Sequence, residues 1–126
     1  MLYNKFVNWA IAYDERNIFE KHIAPLNLDA IPNFYRFYTP LDVEISFNGS
    51  SLRFIPASEL EAIAKEYNYL DFDFLFATSN GDPFFIKDNS VYTCSHGTAT
   101  PNIERIANSF DDFLRLIMEN NICGNI

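Results

Sequence analysis

The chain has 126 residues, 48% of them hydrophobic and 17% aromatic, with a formal net charge of −8. This hydrophobic content excludes a disordered chain, and no apolar run approaches the ~20 residues that span a bilayer. Nucleic acid and anionic membranes are poor partners because Lys and Arg form no cluster. We expect a single domain over residues 1–126. Its acidity either steers it toward a basic partner or simply keeps it soluble.

The cysteines and the N-terminus indicate the compartment. Cys94 and Cys123 are too few for a disulfide framework and do not form a Cys-x-x-Cys pair. The first residues show no basic leader followed by an apolar stretch, as a secretory signal would. Since disulfides are rare in reducing compartments, we expect two free thiols in a cytoplasmic protein.

Helical spacing dominates the start of the chain. One apolar face carries Leu2, Phe6, Trp9, Ala10 and Tyr13. The polar residues 14–17 interrupt that face, and a rotated face resumes with Ile18, Phe19, His22 and Ile23. We expect two short helices or one bent helix that ends at Pro25, because proline cannot continue a helix interior.

Prolines and a glycine turn delimit the next segments. Pro32 opens a short helical turn, and Pro40 ends it. Residues 43–47 and 52–55 then alternate apolar and polar side chains on either side of Asn48-Gly49, the residue pair typical of a two-residue hairpin turn. The pattern predicts a β-hairpin.

Two further helices are predicted from their N-terminal caps. Ser58 with Glu61 and Ser109 with Asp112 have the spacing of a capping box. The apolar face of the middle helix consists of Leu60, Ile63, Ala64 and Tyr67. That of the last helix consists of Phe110, Phe113, Leu114, Ile117 and Met118, with Gly124 as its stop signal.

Between these helices the sequence predicts an antiparallel meander. Three short strands, 72–77, 83–86 and 91–94, are separated by turns at 79–82 and Asp88-Asn89. The fold class is therefore α+β: a mostly antiparallel sheet, made of a hairpin plus a three-strand meander and packed with N-terminal, middle and C-terminal helices. We expect the helices to cover one face of the sheet.

Residues able to carry chemistry are few. Cys94 and His96 lie two residues apart, but a zinc site needs four ligands, and no third group to orient the pair is evident. The neighbouring carboxylates Asp71 and Asp73 fit a site or a solvent-facing edge equally well. We expect no catalytic residue, cofactor or metal, and keep a small hydrolase using Cys94 and His96 as an alternative.

Tyrosines mark the predicted interaction surface, because their polar tips suit a partly wet surface. The candidates are Tyr35, Tyr38, Tyr67, Tyr69 and Tyr92.

Three motifs, in this order, resemble the SUKH superfamily. They are Ile31-Pro32-x-x-Tyr35-x-x-Tyr38, then Phe76-Ala77 with Asn80-Gly81-Asp82 and Phe84-Phe85-Ile86, then Ala107-x-Ser109-Phe110-x-x-Phe113-Leu114. This superfamily of α+β domains includes the fungal regulator of cell-wall synthesis and many bacterial immunity proteins. The resemblance implies a non-enzymatic role, commonly the binding and blocking of a toxin, often a nuclease.

An acidic binder suits such a target, since a nuclease surface is basic where it holds phosphate. We expect the partner to be a basic toxin domain. The predicted contact residues are Asp71, Asp73, Asp82, Asp88 and Glu104, with Tyr92 as an aromatic anchor. A scaffold or regulatory module, as the fungal relatives suggest, is the alternative.

Overall fold

The computed structural model describes residues 2–24, 32–95 and 102–123. The helices are α1 (Leu2–Tyr13), α2 (Leu60–Glu66) and α3 (Phe110–Cys123), with short 3₁₀ turns at Asn33–Arg36 and Ala57–Glu59. The strands are β1 (Ile18–Lys21), β2 (Tyr38–Phe47), β3 (Ser50–Phe54), β4 (Phe74–Ser79), β5 (Asp82–Lys87), β6 (Ser90–Cys94) and β7 (Ile103–Ala107). They form one antiparallel sheet in chain order, so the predicted α+β class is confirmed. Within the described ranges, no helix is long and apolar enough to cross a membrane.

Three tight turns produce the meander. Their central residues all have positive φ: Asn48 and Gly49 (51° and 79°), Asn80 and Gly81 (51° and 87°), and Asp88 and Asn89 (49° and 70°). Positive φ at both central positions is the type I′ geometry, whose twist matches that of antiparallel strands. Gly, Asn and Asp tolerate this conformation better than other residues, which is why these turns are readable from sequence.

The larger part of the core lies between the sheet and helices α1 and α3, on what we call the first face. Phe76 at the centre of β4 is fully buried. Its ring centroid lies 5.0 Å from that of Phe110 and 5.5 Å from that of Phe113, both edge-on. Burial of one such side chain contributes about 1.5–3 kcal/mol, and the pair geometry adds to it.

The sheet is also covered on its second face, by α2. Leu75 and Phe85, each one residue away from a first-face phenylalanine, pack there with Tyr67 at the end of α2. The expectation of helices on one face only is therefore wrong. The sequence contained the signal: residues 74–77 are all apolar and all buried, as is typical of a strand covered on both sides.

The second half of the predicted N-terminal helix is wrong, because residues 18–21 form the edge strand β1. Asn17 redirects the chain. Its side-chain Nδ2 donates to the Ala10 carbonyl at 3.0 Å, and its Oδ1 accepts from the Glu44 N–H at 3.0 Å. One buried amide therefore caps the end of α1 and aligns the following residues beside β2.

Pro40 does not end an element but lies inside β2. It faces Phe19 in the register, next to an irregularity at which Ile18 faces Asp42. Proline lacks the N–H that a regular ladder needs, so bulges and edges are where a strand tolerates it. Among the described strands, residues 38–42 of β2 pair only with β1, and the irregularity in that pairing accommodates this proline.

Further differences concern short elements. The Ser58 capping box is wrong, because a 3₁₀ turn precedes α2 and its N-cap, Glu59, makes no side-chain cap bond. The Ser109 cap is confirmed, since Ser109 Oγ accepts from the Asp112 N–H at 3.0 Å.

Strand β7 was not predicted, because its two isoleucines are spaced by three residues, whereas one face of a strand repeats every two. Pro25, Ile31, His96, the loop at 97–101 and Gly124 lie outside the described residues.

Candidate functional site

Three of the predicted aspartates surround one lysine, in a group we call the acidic corner (Asp71, Asp73, Lys87 and Asp88). Lys87 Nζ donates to Asp71 Oδ1 at 3.2 Å and lies 3.8 Å from Asp73 Oδ1. The backbone N–H of Asp88 donates to Asp73 Oδ2 at 2.9 Å. The fold creates this group, because the backbone N–H of Asp73 binds the Ile86 carbonyl at 2.8 Å. That bond holds the segment before β4 beside the end of β5.

The acidic corner carries excess negative charge. Three carboxylates face one ammonium, and the side chains of Asp71 and Asp73 are 87% and 56% exposed. The hydrogen bond to Asp71, followed by the charges of the three aspartates, raises the pKa of Lys87. Exposed ion pairs contribute little to folding stability. Apart from the bond that Asp73 accepts from the Asp88 N–H, the charges of the corner are therefore available to a partner rather than needed for the fold.

An aromatic row (Phe72, Phe85 and Tyr92) adjoins the corner on the second face. The ring centroids of Phe72 and Phe85 are 6.1 Å apart, and those of Phe85 and Tyr92 are 5.9 Å apart and stacked. Lys87 lies two residues beyond Phe85 on β5, so both side chains point to the same face. Tyr92 is half-buried and therefore combines a supported ring with an accessible edge.

Asp82 lies away from this surface, at the opposite end of β5 from Lys87. Across that strand the separation is on the order of 16 Å, at ~3.3 Å per residue. Its charge acts instead on Tyr67 and Cys94, whose pKa values are raised first by burial and additionally by Asp82. Asp82 belongs to the neighbourhood of the β4–β5 turn.

Glu104 also lies away from the acidic corner. In the register it faces Thr93, which in turn faces Phe84, a member of the first-face core. Cross-strand partners share a face, so Glu104 is on the opposite face from Tyr92. The six predicted contact residues therefore form no single surface: Asp71, Asp73, Asp88 and Tyr92 come together, and the other two do not.

The tyrosine prediction is partly wrong. Tyr35 is fully buried and Tyr67 only 6% exposed, so neither presents a surface. The Tyr67 hydroxyl donates to the Gly81 carbonyl, which shows how a tyrosine tip can be satisfied inside the fold. Tyr69 is 55% exposed, and Tyr38 and Tyr92 are half-buried.

Cys94 is a core residue of the second face. It is 3% exposed and packs in the same cluster as Leu75 and Phe85. Burial, with a smaller effect from Asp82, raises the pKa of its thiol. A buried protonated thiol is a poor nucleophile, and His96 lies outside the described residues. The Cys94–His96 pair therefore stays a prediction.

A feature that sequence reasoning missed is an open groove of about 520 Å³ near the far edge of the sheet. The loop after α1 forms one wall, and the hairpin of β2 and β3 forms the other. The sequence pattern does not reveal the groove, because the polar residues 14–17 favour an interruption within a helix. The one signal in the sequence is Asn17, an uncharged amide that follows three charged residues; the structure shows that it is buried.

Metal binding has no evident place in this surface. Over residues 2–24, 32–95 and 102–123, no group of three or more His, Cys, Asp or Glu side chains could hold a metal ion.

Comparison of the chain with family descriptions, with curated proteins and with solved structures finds no match.

Proposed function

We propose that this protein is a non-enzymatic binding domain that attaches to a basic partner protein and blocks it. The partner is a bacterial toxin domain such as a nuclease, as the resemblance to SUKH immunity proteins implies. The observation that carries the proposal is the acidic corner beside the aromatic row: exposed aspartates in excess of their one lysine, next to a half-buried tyrosine.

The physical argument joins steering to anchoring. A net charge of −8 attracts a basic surface over long distances and speeds the encounter. Tyr92, supported by Phe85 beneath it, supplies a preorganised aromatic contact of the kind that dominates protein interfaces. An interface of standard size, roughly 800 Å² per partner, would cover the corner and the row together. The buried thiol of Cys94 suits a reducing cytoplasm, where we place the protein.

The first experiment is a pull-down from native cell extract. Tagged protein is loaded at low salt, eluted with a salt gradient, and the eluate is identified by mass spectrometry. We expect one basic protein in stoichiometric amount, released as salt rises because screening weakens charge-based association. Recovery of a partner whose release is independent of salt would contradict the electrostatic mechanism.

Charge reversal then locates the contact. Asp71→Lys with Asp73→Lys should weaken binding by at least tenfold, mainly by slowing association, since reversed charges repel a basic surface. Glu104→Lys with Glu119→Lys is the matched control, because it reverses the same number of charges elsewhere: Glu104 lies on the other face, and Glu119 is exposed on α3. Equal affinity of the double variant and the wild type, measured by surface plasmon resonance, would rule out the corner as the contact.

The assay of the captured protein separates blocking from scaffolding. We expect the partner's activity to fall in proportion to the amount of complex, and to recover with the Asp71→Lys, Asp73→Lys variant. A partner that retains full activity in the complex would assign the same surface to a scaffold or regulatory module instead.

A further inference from the structure

The groove follows a stretch of β2 whose outer edge is unpaired. Strand β1 pairs with residues 38–42 of β2, whereas residues 43–47 pair with β3 on their other side. No strand in the described part of the chain runs along the outer edge of Val43–Phe47. Such an edge is able to accept an additional strand.

The hairpin register determines which backbone groups point outward. Phe47 and Ser50 flank the two-residue turn and bond to each other, so the groups of Ile45 point toward β3 and those of Glu44 and Ser46 point into the groove. Two of these outward groups are already satisfied by asparagines. Asn17 Oδ1 accepts from the Glu44 N–H at 3.0 Å, and Asn121 Nδ2 donates to the Ser46 carbonyl at 3.0 Å.

Two outward groups remain, the Glu44 carbonyl and the Ser46 N–H. Within the described residues, neither group takes part in a turn, loop or side-chain hydrogen bond, and no strand pairs with this side of residues 43–47. They flank Ile45, so one residue of an added strand can donate its N–H to the first and accept from the second. This is the hydrogen-bond pattern of a parallel strand pair. The two asparagines thereby limit an incoming segment to a single bridging residue at this point of the edge.

The charge around this edge is unbalanced. Arg16 is committed to Asp14: its Nη2 lies 2.7 Å from Asp14 Oδ2, and this pairing lowers the pKa of Asp14 to about 2. The charges of Glu44 and Asp42 act on Arg16 more weakly. Neither of these two carboxylates forms an ion pair with any residue in the described ranges. The groove therefore favours a cation.

An aromatic ring lies at the same groove. Tyr13 is 36% exposed and stacks on Trp9 with ring centroids 5.1 Å apart. A ring held in this way offers its other side to a lysine or arginine side chain. The carboxylates, the Tyr13 ring and the two outward backbone groups all suit the same ligand, an extended peptide with basic side chains.

We propose that this groove binds an extended basic peptide segment of another protein. One residue of the segment bridges Glu44 and Ser46 across Ile45, and a lysine or arginine of the segment lies near Asp42 and Glu44. This surface is separate from the acidic corner, and the inference holds whichever protein the corner binds.

The test uses a synthetic nonapeptide of alternating lysine and valine, blocked at both ends and fluorescently labelled, with binding followed by anisotropy. Two further peptides carry N-methyl groups on the valine amides or on the lysine amides. We expect one of the two to bind about fivefold more weakly than the unmodified peptide, because this is the usual loss of affinity when one hydrogen bond is removed. Identical affinity of all three peptides would overturn the strand pairing, because charge alone is unchanged by N-methylation.

Protein variants locate the site. Ser46→Pro removes the outward N–H without removing a ladder bond, a substitution that edge strands tolerate, and should weaken peptide binding about fivefold. Asp42→Asn with Glu44→Gln, which leaves the backbone groups intact, should lower both the affinity and its salt dependence. Asp71→Asn with Asp73→Asn is the matched control at the acidic corner. An equal loss in this control would assign the binding to general charge attraction and overturn the proposal.

Discussion

Single side chains decide where this chain changes direction and which groups stay inert. Asn17 is the clearest case, since one buried amide caps α1 and holds β2 through two hydrogen bonds. Cys94 is another, because a thiol that looks reactive beside a histidine in the sequence is enclosed by Leu75 and Phe85 in the fold. Burial, rather than sequence neighbours, determines the chemistry available to each.

The Cys94 thiol makes stability depend on alkaline pH. Burial raises its pKa in the folded state above the unfolded value, near ~8.5. Its contribution is therefore complete below pH ~8.5 and is lost as pH rises through the higher folded pKa. We expect the free energy of unfolding to fall above pH ~8.5 in wild type, and to fall less steeply in Cys94→Ala, when measured by urea denaturation under reducing conditions. Parallel pH profiles for the two proteins would show that Cys94 does not titrate in this way.

At the level of elements, the two predicted caps had different outcomes although both have the same sequence pattern. Ser109 binds the first turn of α3, whereas a 3₁₀ turn occupies the position where Ser58 would have capped α2. Pro56, at the N-cap of that turn, has an extended backbone. Because Pro56 starts the 3₁₀ turn, Ser58 lies inside that turn and not at the N-cap of α2.

This difference predicts unequal effects of the same substitution. Ser109→Ala should destabilise the protein by about 1 kcal/mol, because the Asp112 N–H loses its partner. Ser58→Ala should change stability by less than ~0.5 kcal/mol, since Ser58 is exposed and caps nothing. Thermal and urea unfolding of both variants check this. A similar loss from both substitutions would mean that the capping bond at Ser109 is not the cause.

The whole molecule is a sheet held between a large apolar layer and a small one. Phe76 lies at the centre of the large layer, with its ring near those of Phe54, Phe110 and Phe113. The covered sheet leaves charged and aromatic side chains at two separate places: the acidic corner and the groove at the outer edge of β2. The two binding surfaces that we propose are therefore separate.

Phe76→Ala tests how far the fold depends on this centre. We expect a loss of about 3–5 kcal/mol, because the substitution removes a fully buried ring and leaves a cavity. That is a large part of the ~5–15 kcal/mol typical of a domain. Tyr69→Ala, at a position 55% exposed, is the control and should cost little. Comparable losses in the two variants, measured by urea unfolding, would contradict the central role of Phe76.

The sequence by itself determined the fold class, the three tight turns and the last helix with its cap. These features depend on local physics: positive-φ residues at turns, a serine at a helix start, and apolar side chains at regular spacing. The three turns at Asn48, Asn80 and Asp88 are confirmed for this reason. The resemblance to SUKH proteins and the binding role stay predictions.

Only the tertiary structure decided the edges of the sheet and the membership of the two surfaces. Residues 18–21 became a strand because Asn17 reaches Glu44, a partner distant in sequence. Strand register placed Glu104 on the opposite face from Tyr92 and drew Asp71, Asp73 and Asp88 around Lys87. The physical reason is that a strand acquires its partners and its exposed face only when neighbouring strands pair with it. Long-range pairing, which leaves little trace in a single sequence, formed the two surfaces to which we assign binding.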